Sequence, residues 1–369
     1  MQVTIIGGGL VGLLTAYELV QAGCEVRIFE RGDVGKESSW AGGGILSALY
    51  PWKDPGAVQI LARHSAEIYP DLCAGLASST GIDPEWTRSG FLLLEPDQES
   101  MALAWAEQTG SEVQVLSAAE LDRLEPELRP QESSGILLPH VAQVRNPRLV
   151  AALARFLRDR SVAIHEHQAV TRLVTENGRA TAIECSSGTY ELDGPVVLAA
   201  GAWSADVLNG VTPSLPVKPV RGQMLLYHAR PGLLHRIVMR EGRYAIPRRD
   251  GRILFGSTVE DVGFDKSVTP QARAELHRAA VSILPVLDDV PIEAHWSGLR
   301  PAAFEGLPFI GVHPAVTGLY LNVGHYRNGV LLAPASARLL VAEILDRPAA
   351  MDRSPFRFAT PGRSLERSN

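Results

Sequence analysis

The stretch Gln2-Val3-Thr4-Ile5-Ile6-Gly7-Gly8-Gly9-Leu10-Val11-Gly12 decides the fold. Residues 2 to 6 form a short β-branched apolar run that stops at three glycines, the pattern of a buried strand. From Leu10 to Ala22 the apolar residues Leu10, Leu13, Leu14, Tyr17, Leu19 and Val20 recur at helical spacing, and Gly23 supplies a C-terminal stop. Residues 25 to 30, Glu-Val-Arg-Ile-Phe-Glu, predict a second strand. A βαβ unit is complete within thirty residues, and a parallel sheet begins at once.

The turn between strand and helix reads G-x-G-x-x-G. Gly7 permits the tight bend, Gly9 lets the backbone approach a pyrophosphate, and Gly12 lets the helix pack closely on the strand. The free N–H groups and partial positive charge of the helix N-terminus then face the phosphates. Glu30 ends the second strand near the spacing at which a carboxylate accepts from a ribose 2′-OH and repels the 2′-phosphate of NADP. A glycine-rich turn in some other α/β protein would leave Glu30 unexplained. FAD and NAD both use such a turn, so the turn alone does not choose between them.

The chain has 369 residues, more than twice the size at which a single core is comfortable, so two intertwined substructures are expected. Hydrophobic residues make up 46% and charged residues 21%, and no apolar run approaches the width of a bilayer, so no membrane span is expected. The start, MQVTIIGGGL, lacks a basic segment followed by an apolar one, which predicts a cytoplasmic protein. Cys24, Cys73 and Cys185 are odd in number and widely spaced, as expected of buried thiols rather than a disulfide framework or a metal cluster. A net charge of -6 with scattered Lys and Arg argues against a nucleic-acid partner.

Further along, helical spacing near Val58 to Tyr69 and Glu99 to Thr109 flanks a strand at Gly90 to Leu94, the texture of a substrate-side region. Pro147 to Asp159 predicts a helix with proline in its first turn, followed by strands at Val162 to His165 and Ala180 to Cys185. The run from Gly194 to Gly201 implies a second passage through the nucleotide sheet. Met224 to His228, Tyr244 to Pro247 and Ile253 to Ser257 predict an antiparallel sheet with Asp250-Gly251 as a hairpin turn. A helix at Pro270 to Leu284, strands at Ile292 to Trp296 and Gly318 to Val323, and a helix at Pro334 to Leu345 complete the ordered chain. The tail after Asp352 is expected to be loose.

Five segments resemble the D-amino-acid oxidase superfamily of flavoenzymes, and within it the glycine oxidases of thiamine biosynthesis: Ile5 to Gly12, Ser38 to Ile45, Leu198 to Ser204 (Leu-Ala-Ala-Gly-Ala-Trp-Ser), Trp296 to Pro301 (Trp-Ser-Gly-Leu-Arg-Pro) and Gly324 to Pro334 (Gly-His-Tyr-Arg-Asn-Gly-Val-Leu-Leu-Ala-Pro). The resemblance implies an α/β fold, with a Rossmann-like FAD-binding domain from residues 1–52, 140–212 and 297–369. Residues 53–139 and 213–296 would form an α+β substrate domain on an antiparallel sheet. It further implies that FAD is lined by Gly7, Gly9, Leu10, Val11, Gly12, Glu30, Arg31, Ser38, Ser39, Gly43, Gly44 and Ile45, with Val170 at the adenine through its backbone. His325, Tyr326, Arg327, Asn328, Gly329, Val330 and Leu331 would wrap the flavin's O2 and N1 end, where a helix N-terminus offsets negative charge. A homotetramer is implied as well.

By the same resemblance Arg300 lies under the substrate carboxylate, with Arg327 and Tyr244 nearby. A guanidinium suits that task because its planar fork donates two parallel hydrogen bonds and keeps its charge. Three alternatives stay open: Arg300 as one half of an ordinary salt bridge, Arg327 paired with a carboxylate in the flavin cradle, and Tyr244 as a core aromatic. A small amine or amino acid would be oxidised to an imine that hydrolyses to a keto acid and ammonia, with O2 reduced to hydrogen peroxide; glycine would give glyoxylate. No side chain stands out as a general base, and no Ser-His-Asp or metal spacing is present. His325 reads as a flavin-loop residue. Ile45, with Trp40, Tyr50 and Trp52 close by in sequence, leaves the pocket's width open among glycine, sarcosine and small D-amino acids. A D-amino-acid oxidase or dehydrogenase of broader substrate range remains the rival reading.

Overall fold

The opening βαβ unit sits in the middle of a six-stranded sheet, in a computed structural model that describes residues 1–128, 133–303 and 306–358. Across this sheet the order is Phe309–Val312, Leu319–Val323, Val196–Leu198, Gln2–Ile6, Glu25–Phe29, Ala163–His165. All neighbours are parallel except Phe309–Val312, which runs antiparallel to Leu319–Val323. The chain leaves Gln2–Ile6 toward Glu25–Phe29 on one side and returns later through Val196–Leu198 on the other. That divergence opens the crevice in which doubly wound sheets bind ligands.

Both faces of this sheet are covered, which explains why its strands read as continuous apolar runs. Val3, Ile5, Ile28 and Val197 turn toward the helices Leu10–Gln21, Asn146–Arg158 and Gly329–Ile344. Ile6, Phe29, Val196 and Leu198 turn the other way, against a three-stranded antiparallel layer, Val170–Glu176, Arg179–Cys185 and Gly188–Glu191.

A second sheet of eight strands has the order Ile292–Ala303, Val217–Tyr227, Ile253–Gly256, Arg243–Pro247, Ile237–Arg240, Phe91–Leu93, Ser134–Leu138, Gln114–Ser117. It is antiparallel except where Ile237–Arg240 runs parallel to Phe91–Leu93. The hairpin at Asp250-Gly251 forms as expected, with Arg248 N donating to Arg252 O at 2.8 Å and Gly251 at φ +91°. The strand predicted to end at Trp296 continues to Ala303, paired throughout with Val217–Tyr227. This strand is the edge of its sheet, where Pro301 is tolerated.

The last helix begins at Gly329 rather than Pro334, which lies inside it. A proline there removes the donor for the Val330 carbonyl. The long helix Gly56–Thr80 repairs the gap: Tyr69 Oη donates to Val330 O, and Ser65 Oγ accepts from Ala335 N at 3.0 Å. The expected loose tail is also corrected in part. Phe356 is fully buried and Arg357 Nη1 meets Glu343 Oε1 at 2.5 Å, while residues from 359 onward lie outside the described residues. Cys73 and Cys185 are buried and Cys24 half-buried. Among the described residues no helix is long and apolar enough to cross a membrane.

Candidate functional site

One cavity of about 750 Å³ runs along the crevice, a size within the range of about 300–1,000 Å³ usual for ligand sites. Every residue expected at the cofactor or substrate lines it except two. Leu331 is turned into the helical core, 2% exposed. Gly12 acts from behind: a Cβ there would stand 2.0 Å from Gly7 O, so its role is the close seating of the helix.

At the nucleotide end the backbone is drawn tightly together. Gly7 has φ +111°, and a Cβ would lie 2.4 Å from Ala199 O. Glu30 accepts from Gly8 N at 2.7 Å and from Gly32 N at 3.0 Å, one bond to each carboxylate oxygen, which leaves a lone pair on each. Burial raises its pKa, and the two N–H groups oppose the shift. Ser39 Oγ accepts from Leu10 N at 2.8 Å, joining the Ser38–Ala41 turn to the helix start. Arg31 lies over the Trp203 ring at 4.0 Å, and Val170 opens the first strand of the three-stranded layer beside them.

Midway, Gly42 to Gly44 form a wall held from outside the cavity. Gly44 has φ +76°, and a Cβ would meet Val144 O at 2.1 Å. Asn146 Nδ2 donates to Ser39 O at 3.0 Å. Arg248 donates from Nη2 to Gly43 O at 2.8 Å and from Nη1 to Gln143 Oε1 at 2.8 Å and Val144 O at 3.0 Å. Burial lowers its pKa to about 10, which leaves it charged at neutral pH. Neither Asn146 nor Arg248 was legible in the sequence. Asn146 hides at a helix start before Pro147, and Arg248 is one arginine among many. Ile45 lines the cavity, as does Tyr50, whose hydroxyl donates to the Glu95 carboxylate at 2.8 and 2.9 Å. Trp40 and Trp52 pack instead on Trp296 and Trp105.

His325 to Val330 line the same cavity, with the Val330 side chain beside Gly42. His325 is 3% exposed, its Nε2 lies 3.1 Å from Ser336 Oγ, and burial depresses its pKa to about 4, so the ring is neutral. Asn328 Nδ2 donates to Asp54 Oδ2 at 3.0 Å. The helix Gly329–Ile344 has no acidic residue in its first turn, and its positive end faces the cavity through Gly329 and Val330.

Tyr244, Arg300 and Arg327 gather at the far end. Arg300 Nη2 donates to Ser257 Oγ at 2.6 Å and Nη1 to the Thr258 carbonyl at 3.1 Å. Tyr244, 8% exposed, donates from Oη to the same Ser257 Oγ at 3.1 Å, so it is both a core aromatic and part of this cluster. Among the described residues no carboxylate lies within 4.0 Å of Arg300 or Arg327, which removes the salt-bridge reading of both. Burial lowers the pKa of Arg300, and the neighbouring charge of Arg327 acts in the same direction. Arg327 is exposed at the cavity mouth. A desolvated guanidinium without a counter-ion is a site for an anion, and its fork matches a carboxylate.

Residues 2–343 match the DAO family, described as FAD dependent oxidoreductase. The glycine oxidase of Pseudomonas putida is 45% identical over 356 residues, 96% of this chain and 97% of that one. The Bifunctional protein ThiO/ThiG of Trichormus variabilis is 32% identical over 363 residues, 97% of this chain but 54% of that larger protein. The crystal structure of glycine oxidase from Geobacillus kaustophilus superposes with a TM-score of 0.92 at 30% identity, covering 97% of this chain and 98% of that one.

Proposed function

The chain belongs to the DAO family of FAD-dependent oxidoreductases, among the glycine oxidases, and is an FAD-dependent amino-acid oxidase; from that premise we propose that it deaminates glycine, with sarcosine and small D-amino acids as further substrates. Glycine, O2 and water give glyoxylate, ammonia and hydrogen peroxide. The observation that carries this reading is Arg300, a guanidinium at the cavity wall with no carboxylate of its own among the described residues.

The cavity fits FAD on its own chemistry. Side chains are excluded at Gly7 and Gly44, where a Cβ would strike backbone, and the acceptors of Glu30 and the open end of Gly329–Ile344 stand at opposite regions of one continuous space. FAD, when bound, supplies the two-electron acceptor, a function no side chain performs. In this reading Glu30 accepts from the ribose and the Leu10 and Val11 end of the first helix faces the pyrophosphate. Ser38, Ser39, Gly43, Gly44 and Ile45 line one side of the flavin, with His325 to Val330 at its pyrimidine end.

Arg300 then takes the substrate carboxylate, Tyr244 adds a hydroxyl, and Arg327 adds positive charge at the mouth. Two parallel bonds to a carboxylate fix the adjoining carbon, and orientation of this kind supplies much of the rate. Among the described residues no carboxylate is hydrogen-bonded to Arg300, Tyr244 or Arg327, and His325 Nε2 is paired with Ser336, which favours a reading in which the amine binds in its neutral form without a protein base. We assign the six-stranded sheet and its covering layers, together with the helix Gly56–Thr80 that packs in the same core as Gly329–Ile344, to the cofactor half, and the eight-stranded sheet, including all of Ile292–Ala303, to the substrate half, so the expected boundaries at 53 and 297 both move. A supply of imine for the thiamine thiazole ring is the pathway role this reading favours.

Peroxide release from purified yellow protein, offered glycine, sarcosine, D-alanine and D-proline in air, tests the proposal. Glycine is expected to release peroxide and ammonia in equal amounts. No peroxide from any of the four overturns it.

A further inference from the structure

The stem of Arg300 leaves the edge strand Ile292–Ala303, but its guanidinium is oriented by the segment that follows the strand Ile253–Gly256. A guanidinium has five N–H donors, and the bonds to Ser257 Oγ and Thr258 O use two of them on one side. Ser257 is 1% exposed. Its hydroxyl oxygen, with two lone pairs, accepts from both Arg300 Nη2 and Tyr244 Oη. One buried atom therefore sets the angle between two side chains that line the same end of the cavity.

The segment carrying Ser257 is itself held from behind. Thr258 Oγ1 accepts from Gln223 N at 2.8 Å and donates to Glu260. Glu260 Oε2 meets Arg221 Nη2 at 2.5 Å, and Arg221, 4% exposed, also reaches Asp265 Oδ2 at 2.6 Å. Gln223 closes the network, donating from Nε2 to Glu260 Oε1 at 2.9 Å and accepting from Thr269 N at 3.0 Å. Burying such a pair contributes little net stability, because desolvation offsets the attraction. Its geometric effect is to pin the Thr258 carbonyl that Arg300 uses.

We propose that Ser257 is the positioning residue of the carboxylate site, setting Arg300 and Tyr244 at once, with Arg221–Glu260 holding the segment that carries it. The proposal rests on the reading of Arg300 as the carboxylate ligand. Ser257 does not touch the substrate; its effect passes through the two residues it orients.

The test compares Ser257→Ala and Glu260→Gln with Arg300→Ala as holoenzymes. The readouts are KM and kcat for glycine, and the Kd of acetate from its perturbation of the bound flavin's visible spectrum. Ser257→Ala is expected to raise KM and the acetate Kd together, each by about tenfold, with the loss falling on KM rather than kcat. Glu260→Gln is expected to shift both the same way by roughly threefold. A merely structural role would lower the melting temperature and leave the acetate Kd alone. Ser257→Ala within about twofold of wild type, while Arg300→Ala loses acetate, overturns the proposal and leaves the reading of Arg300 standing. Arg300→Ala binding acetate like wild type overturns that reading instead. Should Ser257→Ala fail to accumulate as yellow protein, an unchanged acetate Kd in Glu260→Gln overturns the proposal.

Discussion

Gly222 lies against the guanidinium of Arg300: a Cβ on Gly222 would stand 2.2 Å from both Nη1 and Nη2. The strand Val217–Tyr227 is thus bare where the neighbouring strand's arginine folds across it. Gly222→Ala should displace the guanidinium and mimic Arg300→Ala, with glycine KM raised about thirtyfold or more, corresponding to roughly 2–4 kcal/mol of a charge-assisted bidentate pair. Steady-state kinetics on flavin-saturated protein checks this; a KM within about twofold of wild type contradicts it.

Helix repair by Tyr69 gives a stability prediction. Tyr69→Phe leaves the Val330 carbonyl, freed by Pro334, without its donor, at a cost of about 1–3 kcal/mol. Pro334→Ala restores a backbone donor to that carbonyl, so the double variant should recover part of the loss. Melting temperatures of the four proteins in this cycle measure the coupling; strictly additive effects would show that the two residues do not share the carbonyl.

Acidification should weaken the fold through His325. Its folded pKa is about 4, below its ordinary 6.5, so between these values the unfolded chain binds the proton and the folded chain does not. Stability from this group is full above about pH 6.5 and is lost as pH falls toward 4, by up to about 3 kcal/mol. The melting temperature should drop between about pH 7 and about pH 5, and His325→Asn should flatten that slope. An identical slope in the variant contradicts the assignment.

Arg248→Met should loosen the cofactor. It removes the donors to Gly43 O, Gln143 Oε1 and Val144 O while keeping most of the stem's bulk. Flavin fluorescence on dilution should report an FAD Kd raised about tenfold or more; unchanged retention would mean the Gly42–Gly44 wall stands without this arginine.

What was readable in the sequence follows the range of the forces involved. Gly7, Gly9 and Gly12 were legible because the turn's steric demands arise within a few residues, and Glu30 because the next strand ends beside that turn. Two of the five matched segments contain Arg300 and the His325 loop, and the family resemblance added Tyr244 from outside them. Ser257, Gly222 and Arg248 left no local trace, because each is defined by a distant partner: Ser257 by an arginine 43 positions on, Arg248 by a carbonyl 205 positions back. The start of the last helix was misplaced because proline is a sound N-terminal signal unless another helix supplies the missing bonds, as Gly56–Thr80 does here.

The central claim is that glycine is oxidised in this cavity with its carboxylate on Arg300. Anaerobic addition of glycine to the purified holoenzyme, followed by the visible absorbance of the bound flavin, tests it most directly. Wild type should bleach to the reduced form, and Arg300→Ala should remain yellow at the same glycine concentration and bleach only at much higher ones. A wild-type spectrum unmoved by glycine, or an Arg300→Ala protein that bleaches as readily as wild type, would contradict the account.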